Sequence, residues 1–576
     1  MKDSDLAIFQ GQLDLISEEM GIVMSRTAQS TIFAESHDYS CFLTNPEGYM
    51  ISYADGIPMH TGSGGYAVRR CIEYWNNKIN DGDLFVLNDP YFSQGSHLPD
   101  YTFIMPVFFK KKLIGFTCTR AHQLDIGGGY FGSYNSNARE IFEEGLRLPP
   151  MRIHEKGKRR IDVWDLLMLA TRVPETVAGD LEAMIGACKI GSKRLKMLAK
   201  FLGITKINKA YSKILDYGEK LMRTHILTIP NGIYKAEETM NNDCFSRKNV
   251  TVRVAIKISD SEMIVDFKGT DAQVPGFKNS PYVNTCAATY LGIRSIVDPF
   301  LPMNEGSYRM ITVSAPKGSV VNAQPPAAVT LCTAHPAHEI VHVIWRALSK
   351  ILPKQVSSGW GRASFPLTSG KNKNGDRYAM YHWGAMGGAG ATSLRDGMPQ
   401  VGLLVSMGNL RVPSLELSEQ QFPVVFKRHE LRTDGGGAGF YRGGTGVYYE
   451  VIVEQSGQWS FRCEGLYTPS GFGLEGASDG REAILEVKDI KSKLLINTPQ
   501  YGLRDLQPVN LSIDSPGGGG WGNPLKRNAT SVVNDVLDEL VSLESAKKDY
   551  GVVINSSTLK IDEKATKILR ESYDKS

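Results

Sequence analysis

The sequence predicts an α+β chain of several lobes, with mixed sheets, a helical middle segment and a C-terminal lobe rich in glycine and short strands. Its 576 residues, 42% of them hydrophobic, exceed what one core usually holds, because single cores stop growing at roughly 250 to 300 residues. Residues 162–228 have helical spacing, whereas residues 430–525 are dense in glycine and short strand patterns. We therefore expect at least two packed lobes in one chain.

The N-terminal part of the chain predicts a helix followed by strands. Apolar side chains recur at helical spacing in residues 5–30, and two short strands flank a turn at residues 45–48. Residues 83–89, 101–109 and 112–119 are rich in β-branched and aromatic side chains, which predicts three buried strands. Only a short turn with lysines separates the last two strands, so we expect them to form a hairpin.

Changes in this pattern indicate where the lobes begin and end. Pro174 and Gly203 interrupt the helical segment, and residues 247–268 then alternate in strand fashion. We predict a catalytic region (1–525) that consists of an N-terminal metal-bearing lobe (1–230) and a strand-rich second lobe (231–525). A polar C-terminal tail with weak helical periodicity follows (526–576).

Composition excludes several classes of function. The 65 lysines and arginines are interspersed with 61 acidic residues, so no basic surface for nucleic acid or anionic lipid is predicted. No run of about 18 apolar residues and no secretory leader are found, which predicts a cytoplasmic protein without a membrane span. The eight cysteines are scattered and lack a CxxC pair, so we expect reduced, buried thiols.

The sharpest local feature is a pair of polar segments on either side of the predicted hairpin. His97 and Asp100 precede the hairpin, and His122 follows it. Because antiparallel strands return the chain to its starting point, these three side chains are expected to share one pocket. Two imidazoles and one carboxylate leave coordination positions open, which is typical of a catalytic metal site. The alternative is that each histidine only caps a loop.

Neighbouring residues support the metal interpretation. Asp89 and Asp125 are expected to orient the imidazoles, and the glycines at 127–129 would let the backbone approach a ligand closely.

A second histidine-rich segment competes with the first. His338, Glu339 and His342 match the HExxH pattern, in which two histidines bind zinc and the glutamate acts as general base of a protease. No third ligand follows at the customary spacing, so we favour an amphipathic helix whose histidines are hydrogen-bonded. Contact of these histidines, or of the nearby His335, with substrate or a partner stays open.

Glycine-rich segments do not predict a nucleotide site in this chain. Residues 186–193 have the glycine spacing of a phosphate loop but end in Ser-Lys and lie in a helical region. Residues 434–444 and 517–520 are not followed by a predicted helix whose N-terminus could bind phosphate, so we expect them to form tight turns and bulges. Arg442 is expected to be a solvated arginine in such a turn.

Taken together, the motifs resemble the hydantoinase B family. This family includes the second subunit of ATP-dependent hydantoinases and caprolactamase, one half of 5-oxoprolinase and the large subunit of acetone carboxylase. The resemblance covers residues 8–525, and its landmarks include GDLFVLNDPYFSQGSHLPDYTFIMPVF, AHQLDIGG, REIFEEGLRLPP, DFKGTDAQVPG, RTDGGGAGFYRGGTGV and SPGGGGWGNP.

The resemblance implies a ligand set and a partner. In caprolactamase-like and acetone carboxylase-like members a His-x-x-Asp pair and a later histidine hold the metal, and the matching residues are His97, Asp100 and His122. Zinc and manganese both accept such ligands. A partner of the hydantoinase A type would bind ATP and phosphorylate the oxygen of an amide or enolate. The chain would then act in a hetero-oligomer and bind no ATP itself.

The activity that the resemblance implies is ring-opening hydrolysis of a cyclic amide such as a hydantoin, 5-oxoproline or a lactam. The alternatives are a subunit of an ATP-dependent ketone carboxylase, a non-catalytic assembly subunit and, most distantly, a zinc protease. His37, Asp38 and Asp125 are the candidates for acid or base work, although a loop aspartate often only forms a turn. Residues 412–419 depart from the family pattern, which leaves the choice between amide and ketone open.

Overall fold

The computed structural model describes residues 3–76, 78–297 and 301–573, and it confirms the α+β class with several separate sheets. Its α-helices are α1 (Asp3–Thr27), α2 (Thr31–Ala34), α3 (Pro58–Trp75), α4 (Ile161–Leu169), α5 (Pro174–Leu202), α6 (Ile204–Ile226), α7 (Tyr282–Arg294), α8 (Ala337–Ser349), α9 (Leu415–Gln421), α10 (Ala529–Leu537), α11 (Leu543–Lys548) and α12 (Glu563–Tyr573).

The strands are β1 (Tyr39–Thr44), β2 (Met50–Gly56), β3 (Leu84–Leu87), β4 (Asp100–Phe109), β5 (Lys112–His122), β6 (Met151–Glu155), β7 (Lys158–Arg159), β8 (Gly232–Met240), β9 (Val250–Ser259), β10 (Glu262–Asp266), β11 (Ile311–Ser314), β12 (Leu367–Lys371), β13 (Arg377–Tyr381), β14 (Val424–Leu431), β15 (Val447–Val453), β16 (Gly457–Arg462), β17 (Ile484–Asp489), β18 (Tyr501–Leu506) and β19 (Val509–Asp514).

The chain divides into two compact units. The first consists of Met1–Ala347 with Asn409–Arg411, and the second consists of Leu348–Gly408 with Val412–Ser576. Residues 231–347, which the sequence pattern groups with the second lobe, lie in the first unit. Helix α7 of this segment packs against α3, and α6 packs against the short 3-10 helix Glu305–Tyr308, so the segment is joined to the N-terminal residues by its core.

A seven-stranded sheet forms the centre of the first unit. Its strand order is β2-β1-β5-β4-β3-β6-β7, and every neighbouring pair is antiparallel. Strands β1 and β3 are buried along their whole length; β3 (LFVL) is a continuous apolar run, whereas β1 (YSCFLT) also buries Ser40 and Thr44. Helices α1 and α5 pack against each other and against this sheet.

The predicted hairpin is formed by β4 and β5. Lys110 and Lys111 make its turn with φ of 48° and 62°, and the register places Asp100 directly opposite His122. The helical middle segment is also confirmed. Pro174 is the first residue of α5, where its missing N–H costs nothing, and Gly203 separates α5 from α6 with φ of 82°.

A second sheet of the first unit has the order β11-β10-β9-β8, in which β10 and β11 are parallel. The second unit contains two antiparallel four-stranded sheets, β13-β12-β16-β18 and β14-β15-β19-β17.

The glycine-rich segments of the second unit pack backbone against backbone. A Cβ on Gly517 would lie 1.8 Å from the carbonyl oxygen of Gly435, and one on Gly518 would lie 2.0 Å from that of Ala389. None of the glycines at 517–520 has a positive φ, so close approach rather than a tight turn is what requires glycine there. This corrects the expectation of turns and bulges for that run.

The C-terminal tail folds onto the second unit. Residues of α10, of α11 and of the loops that follow each of these helices form a small core with Ala438; its buried members are Val532, Val541, Ala546, Tyr550 and Val552. Arg442 is buried rather than solvated, with its Nε 3.4 Å from Asp535 Oδ1. Arg527 pairs with both Asp396 and Asp535, so an interior ion network holds the tail in place.

All eight cysteines are buried free thiols, as expected. Within the described residues, no helix is both long enough and apolar enough to cross a membrane.

Candidate metal centre

The ends of two neighbouring strands bring the predicted metal ligands together. Asp100 is the first residue of β4 and His122 the last of β5, and the two are directly opposite in the register. His97 lies three residues before Asp100, in the loop that enters β4. The backbone N–H of His122 donates to the carbonyl oxygen of Asp38 (3.1 Å), which brings the start of β1 to the same edge of the sheet.

Three side-chain atoms converge in this pocket. His97 Nε2 is 2.9 Å from Asp100 Oδ1, and His122 Nδ1 is 3.2 Å from His97 Nε2 and 3.6 Å from Asp100 Oδ1. Ligand atoms at about 2.1 Å from a metal in open tetrahedral or octahedral geometry are about 3.0 to 3.4 Å apart. All three residues are buried, and the spacing of their atoms therefore fits one divalent cation.

The hydrogen bonds around these atoms also fit a cation. The carbonyl oxygen of Thr330 accepts from His97 Nδ1 (2.6 Å), so the proton is on Nδ1 and the lone pair of Nε2 points to the pocket. Within the described residues the buried Asp100 Oδ2 accepts no hydrogen bond, although His60 Nε2 lies 3.4 Å from it. A buried carboxylate oxygen without a donor is costly, and a metal ion would satisfy it. Two imidazoles and a carboxylate suit zinc or manganese.

The pKa values of these groups follow their surroundings. Burial would raise the pKa of Asp100, but the imidazoles of His97 and His60 outweigh it and hold that pKa well below its ordinary value. Burial lowers the pKa of His97, and the charge and hydrogen bond of Asp100 more than reverse this, so the net shift is upward. Asp100 is therefore ionised at neutral pH and is available as a ligand.

Asp89 and Asp125 do not orient the imidazoles, contrary to expectation. Asp89 accepts from Arg147 Nε (2.6 Å), and Asp125 accepts from the side chain (2.8 Å) and backbone N–H (2.6 Å) of Arg172. Burial raises the pKa of Asp125, and the bonds from Arg172 oppose that rise. The sequence shows that these carboxylates are near the histidines in the chain, but it cannot show that Arg147 and Arg172 lie closer in space and bind them.

The glycine triplet packs against protein instead of a ligand. A Cβ on Gly127 would lie 2.7 Å from the carbonyl oxygen of Ala170, and one on Gly128 would lie 2.7 Å from the carbonyl carbon of Glu144. Both glycines have positive φ, 83° and 76°. These glycines therefore do allow a close backbone contact, as expected, but the contact is with other backbone segments of the protein and not with a ligand.

His60 belongs to the site although its sequence context did not reveal it. It lies in the first turn of α3, with Nε2 3.4 Å from Asp100 Oδ2 and 3.7 Å from Asp38 Oδ1. Arg120 donates to the carbonyl oxygen of His60 (2.9 Å) and to Ser63 Oγ (2.6 Å), which fixes that turn. Burial lowers the pKa of His60 to about 4.

Of the sequence-predicted catalytic candidates, the structure places Asp38 beside the pocket. His37 is half-buried with φ of 57°, and burial together with the charge of Arg411 lowers its pKa. Asp125 pairs with Arg172 as described. Tyr134, which has no sequence signal of its own, stacks on His122 with ring centroids 5.4 Å apart and an interplanar angle of 15°.

The HExxH segment lies in α8, which is a helix as predicted. His335 Nδ1 bonds both oxygens of Glu339 (3.0 and 3.1 Å), so the glutamate is engaged by the preceding turn. Within the part of the chain that the structure describes, the one group of side chains arranged to hold a metal is His97, Asp100 and His122.

The fold and the pocket together define a class of protein: an α+β chain whose central antiparallel sheet holds, at the ends of β4 and β5, a buried cluster of two histidines and one aspartate that could bind a metal ion. The chain belongs to the Hydantoinase B/oxoprolinase family, which matches residues 3–524.

Individual relatives span the whole chain. The beta subunit of the caprolactamase of Pseudomonas jessenii is 32% identical over 99% of both chains, and the B component of a putative D-/L-hydantoinase of a Pseudomonas species is 33% identical over 97% of this chain and 96% of its own. The crystal structure of the ATP-dependent caprolactamase from Pseudomonas jessenii superimposes with a TM-score of 0.91, at 31% identity and with 99% and 100% of the two chains covered.

A nucleotide-free acetone carboxylase shares the fold, with a TM-score of 0.88 over 99% of this chain and 82% of its own, at 20% identity.

Proposed function

We propose that this chain is the metal-bearing subunit of an ATP-dependent cyclic amidase that opens a hydantoin, 5-oxoproline or lactam ring. The convergence of His97, Asp100 and His122 in one buried pocket carries the proposal. Two relatives above 30% identity support the substrate class, since caprolactam and hydantoin are both cyclic amides.

We assign ATP to a separate partner of the hydantoinase A type, so that the active species is a hetero-oligomer. Both of these relatives are single subunits of larger enzymes, which supports a partner, and the related crystal structure is of an ATP-dependent enzyme. Phosphorylation of the amide oxygen by that partner would make the ring carbon a better electrophile. This chain would then bind the activated amide and direct water to it.

The residues of this chain divide the chemical work. Zinc or manganese bound by His97, Asp100 and His122 would supply Lewis-acid polarisation and lower the pKa of water. Asp38, 3.7 Å from His60 Nε2, is the group we assign to accept a proton from the attacking water. Arg120 keeps His60 in place through the first turn of α3.

We assign a second proton transfer to His37, the residue before Asp38; burial and the charge of Arg411 lower its pKa, so the imidazole is neutral at pH 7. Asp125, held by Arg172, fixes the loop that follows His122. Tyr134 covers His122 and keeps bulk water from that side of the ring.

Reconstitution tests the proposal. The purified chain is combined with a partner of the hydantoinase A type and ATP, and ring opening and phosphate release are measured with caprolactam, a hydantoin and 5-oxoproline. We expect both products only when both chains and ATP are present. Amide hydrolysis by this chain alone, without ATP, would contradict the proposal. Phosphate release that requires acetone and bicarbonate instead of an amide would identify a ketone carboxylase.

A further inference from the structure

Glu144 is a deeply buried carboxylate that the proposed chemistry does not use. It follows the 3-10 helix Ile141–Glu143, and its side chain is 1% exposed. Its oxygens accept from the backbone N–H of Val329 (2.9 and 3.0 Å) and of Thr330 (2.6 Å). Burying a carboxylate costs free energy unless hydrogen-bond donors surround it, and these bonds offset part of that cost. Burial raises its pKa to about 7, against the opposing effect of the two N–H donors.

The segment that Glu144 holds is the one that orients a metal ligand. The carbonyl oxygen of Thr330 accepts from His97 Nδ1 (2.6 Å), and this bond directs Nε2 of the ring to Asp100 Oδ1, 2.9 Å away. Thr330 begins the 3-10 helix Thr330–Thr333, and the N–H of Leu331, which belongs to the same peptide group as the Thr330 carbonyl, donates to the carbonyl oxygen of Phe277 (3.1 Å). The bond from the N–H of Thr330 to Glu144 restrains the other side of this residue.

Glu144 is also joined to the segment that follows the other histidine ligand. The backbone N–H of Gly129 donates to Glu143 (2.9 Å), and that of Leu146 donates to Ile126 (2.9 Å). Gly128 packs directly on the backbone of Glu144, at a distance that leaves no room for a Cβ. The loop after His122 therefore packs on residues 143–146, and the side chain of Glu144 in that stretch binds the segment that orients His97.

We propose that Glu144 is a positioning residue of the metal centre: through Val329 and Thr330 it fixes the carbonyl that sets the tautomer and direction of the His97 imidazole. It touches neither the metal nor the substrate. The inference rests on the proposed function, because it requires that His97 binds a metal. Hydrogen-bond partners of ligating histidines typically change metal affinity by about 10- to 100-fold when removed.

The test compares Glu144→Gln with Glu143→Gln in the full-length chain. Gln keeps the size of the side chain but places an amide NH₂ where backbone donors point, whereas Glu143 is exposed and makes the matched control. Zn²⁺ and Mn²⁺ affinities are measured by competition with a chromophoric chelator, and the visible spectrum of the Co²⁺-loaded chain reports the ligand geometry. Thermal unfolding of the metal-free chain reports its folding.

Because Glu144 acts on His97 through Thr330 and is not itself the partner of the imidazole, we expect Glu144→Gln to weaken metal binding about tenfold, the lower end of the range for direct partners, and to alter the Co²⁺ spectrum. Glu143→Gln should change neither. A folded Glu144→Gln chain with wild-type affinity and spectrum would overturn the proposal. If that variant does not fold, Glu144→Asp is tested instead, because it keeps the charge but moves the carboxylate away from the backbone donors. A reduced metal affinity of Glu144→Asp would support the proposed role, and a wild-type metal affinity would overturn it.

The wild-type chain and His97→Ala are titrated first, so that the two proposals fail differently. A wild-type chain that binds no metal would overturn the metal centre and this inference together. Metal binding that His97→Ala abolishes and Glu144→Gln leaves intact would overturn only the role of Glu144.

Discussion

Two groups of buried histidines lie in the first unit, and they differ in what their carboxylate does. In the candidate metal centre, Asp100 Oδ1 lies within 3.6 Å of both His97 and His122, and the three side chains offer ligand atoms close enough together to hold one metal ion. In α8, Glu339 is bonded to His335, on the turn before the HExxH histidines. The rings of His338 and His342 contact each other edge to face, with centroids 4.1 Å apart.

The difference teaches that a metal site depends on where carboxylates and lone pairs point, not on the letters of a motif. The HExxH pattern places two histidines on one face of a helix, but it does not prevent the glutamate from hydrogen-bonding to a third histidine, as Glu339 does to His335. The three residues of the candidate metal centre form no compact sequence motif. They meet because β4 and β5 pair in the register that sets Asp100 opposite His122.

Removing two ligands of the metal centre should have the largest effect. In the His97→Ala, His122→Ala double variant we expect no bound zinc or manganese and a loss of ring-opening activity of about a thousandfold or more, because a Lewis acid contributes several kcal/mol and each 1.4 kcal/mol is about tenfold. Metal analysis of the purified chains and activity of the reconstituted complex measure both. Metal retained in the double variant would place the site elsewhere and break the comparison.

Asp38→Asn should separate catalysis from metal binding. We expect metal content equal to that of the wild type and activity reduced about 100-fold, since general-base groups contribute about 10²- to 10⁴-fold. The measurement is kcat of the reconstituted complex beside metal content. Loss of metal in this variant would show instead that Asp38 is a ligand.

Acid should weaken metal binding at the centre. His97 has a raised pKa, so protons compete with the metal at higher pH than for an ordinary histidine. We expect metal affinity to be constant at high pH and to fall about tenfold per pH unit, or more, once the pH drops through that raised pKa. Chelator competition between pH 8 and 5 measures the slope. An affinity independent of pH over this range would exclude imidazole ligands.

Glu339→Gln should have the smallest effect on function. We expect unchanged metal content and unchanged activity, because Glu339 is bonded to His335 and lies outside the metal centre. Stability should fall by about 1 to 3 kcal/mol, the usual cost of weakening a buried charged hydrogen bond. Urea unfolding monitored by circular dichroism measures this loss. A variant that loses its metal would restore the zinc-protease interpretation.

Much of the fold could be predicted from local pattern. The first helix, the hairpin of β4 and β5, and the break between α5 and α6 at Gly203 all follow from spacing and from the conformational limits of proline and glycine. The C-terminal tail could not, because its weak periodicity hides apolar residues that become a core only against Ala438. The glycines at 517–520 likewise suggest turns until the opposing backbone is known.

The sequence by itself determined the residue types of the centre and brought His97, Asp100 and His122 together, because a hairpin of known direction returns the chain to its start. Tertiary structure alone decided the surroundings. His60 comes from helix α3, Thr330 from the 3-10 helix Thr330–Thr333, and Glu144 from the end of the 3-10 helix Ile141–Glu143. Arg147 and Arg172 bind the carboxylates of Asp89 and Asp125, which sequence proximity had assigned to the histidines. Spacing along a chain fixes only neighbours within one element, whereas the partners that orient a ligand come from elements packed against it.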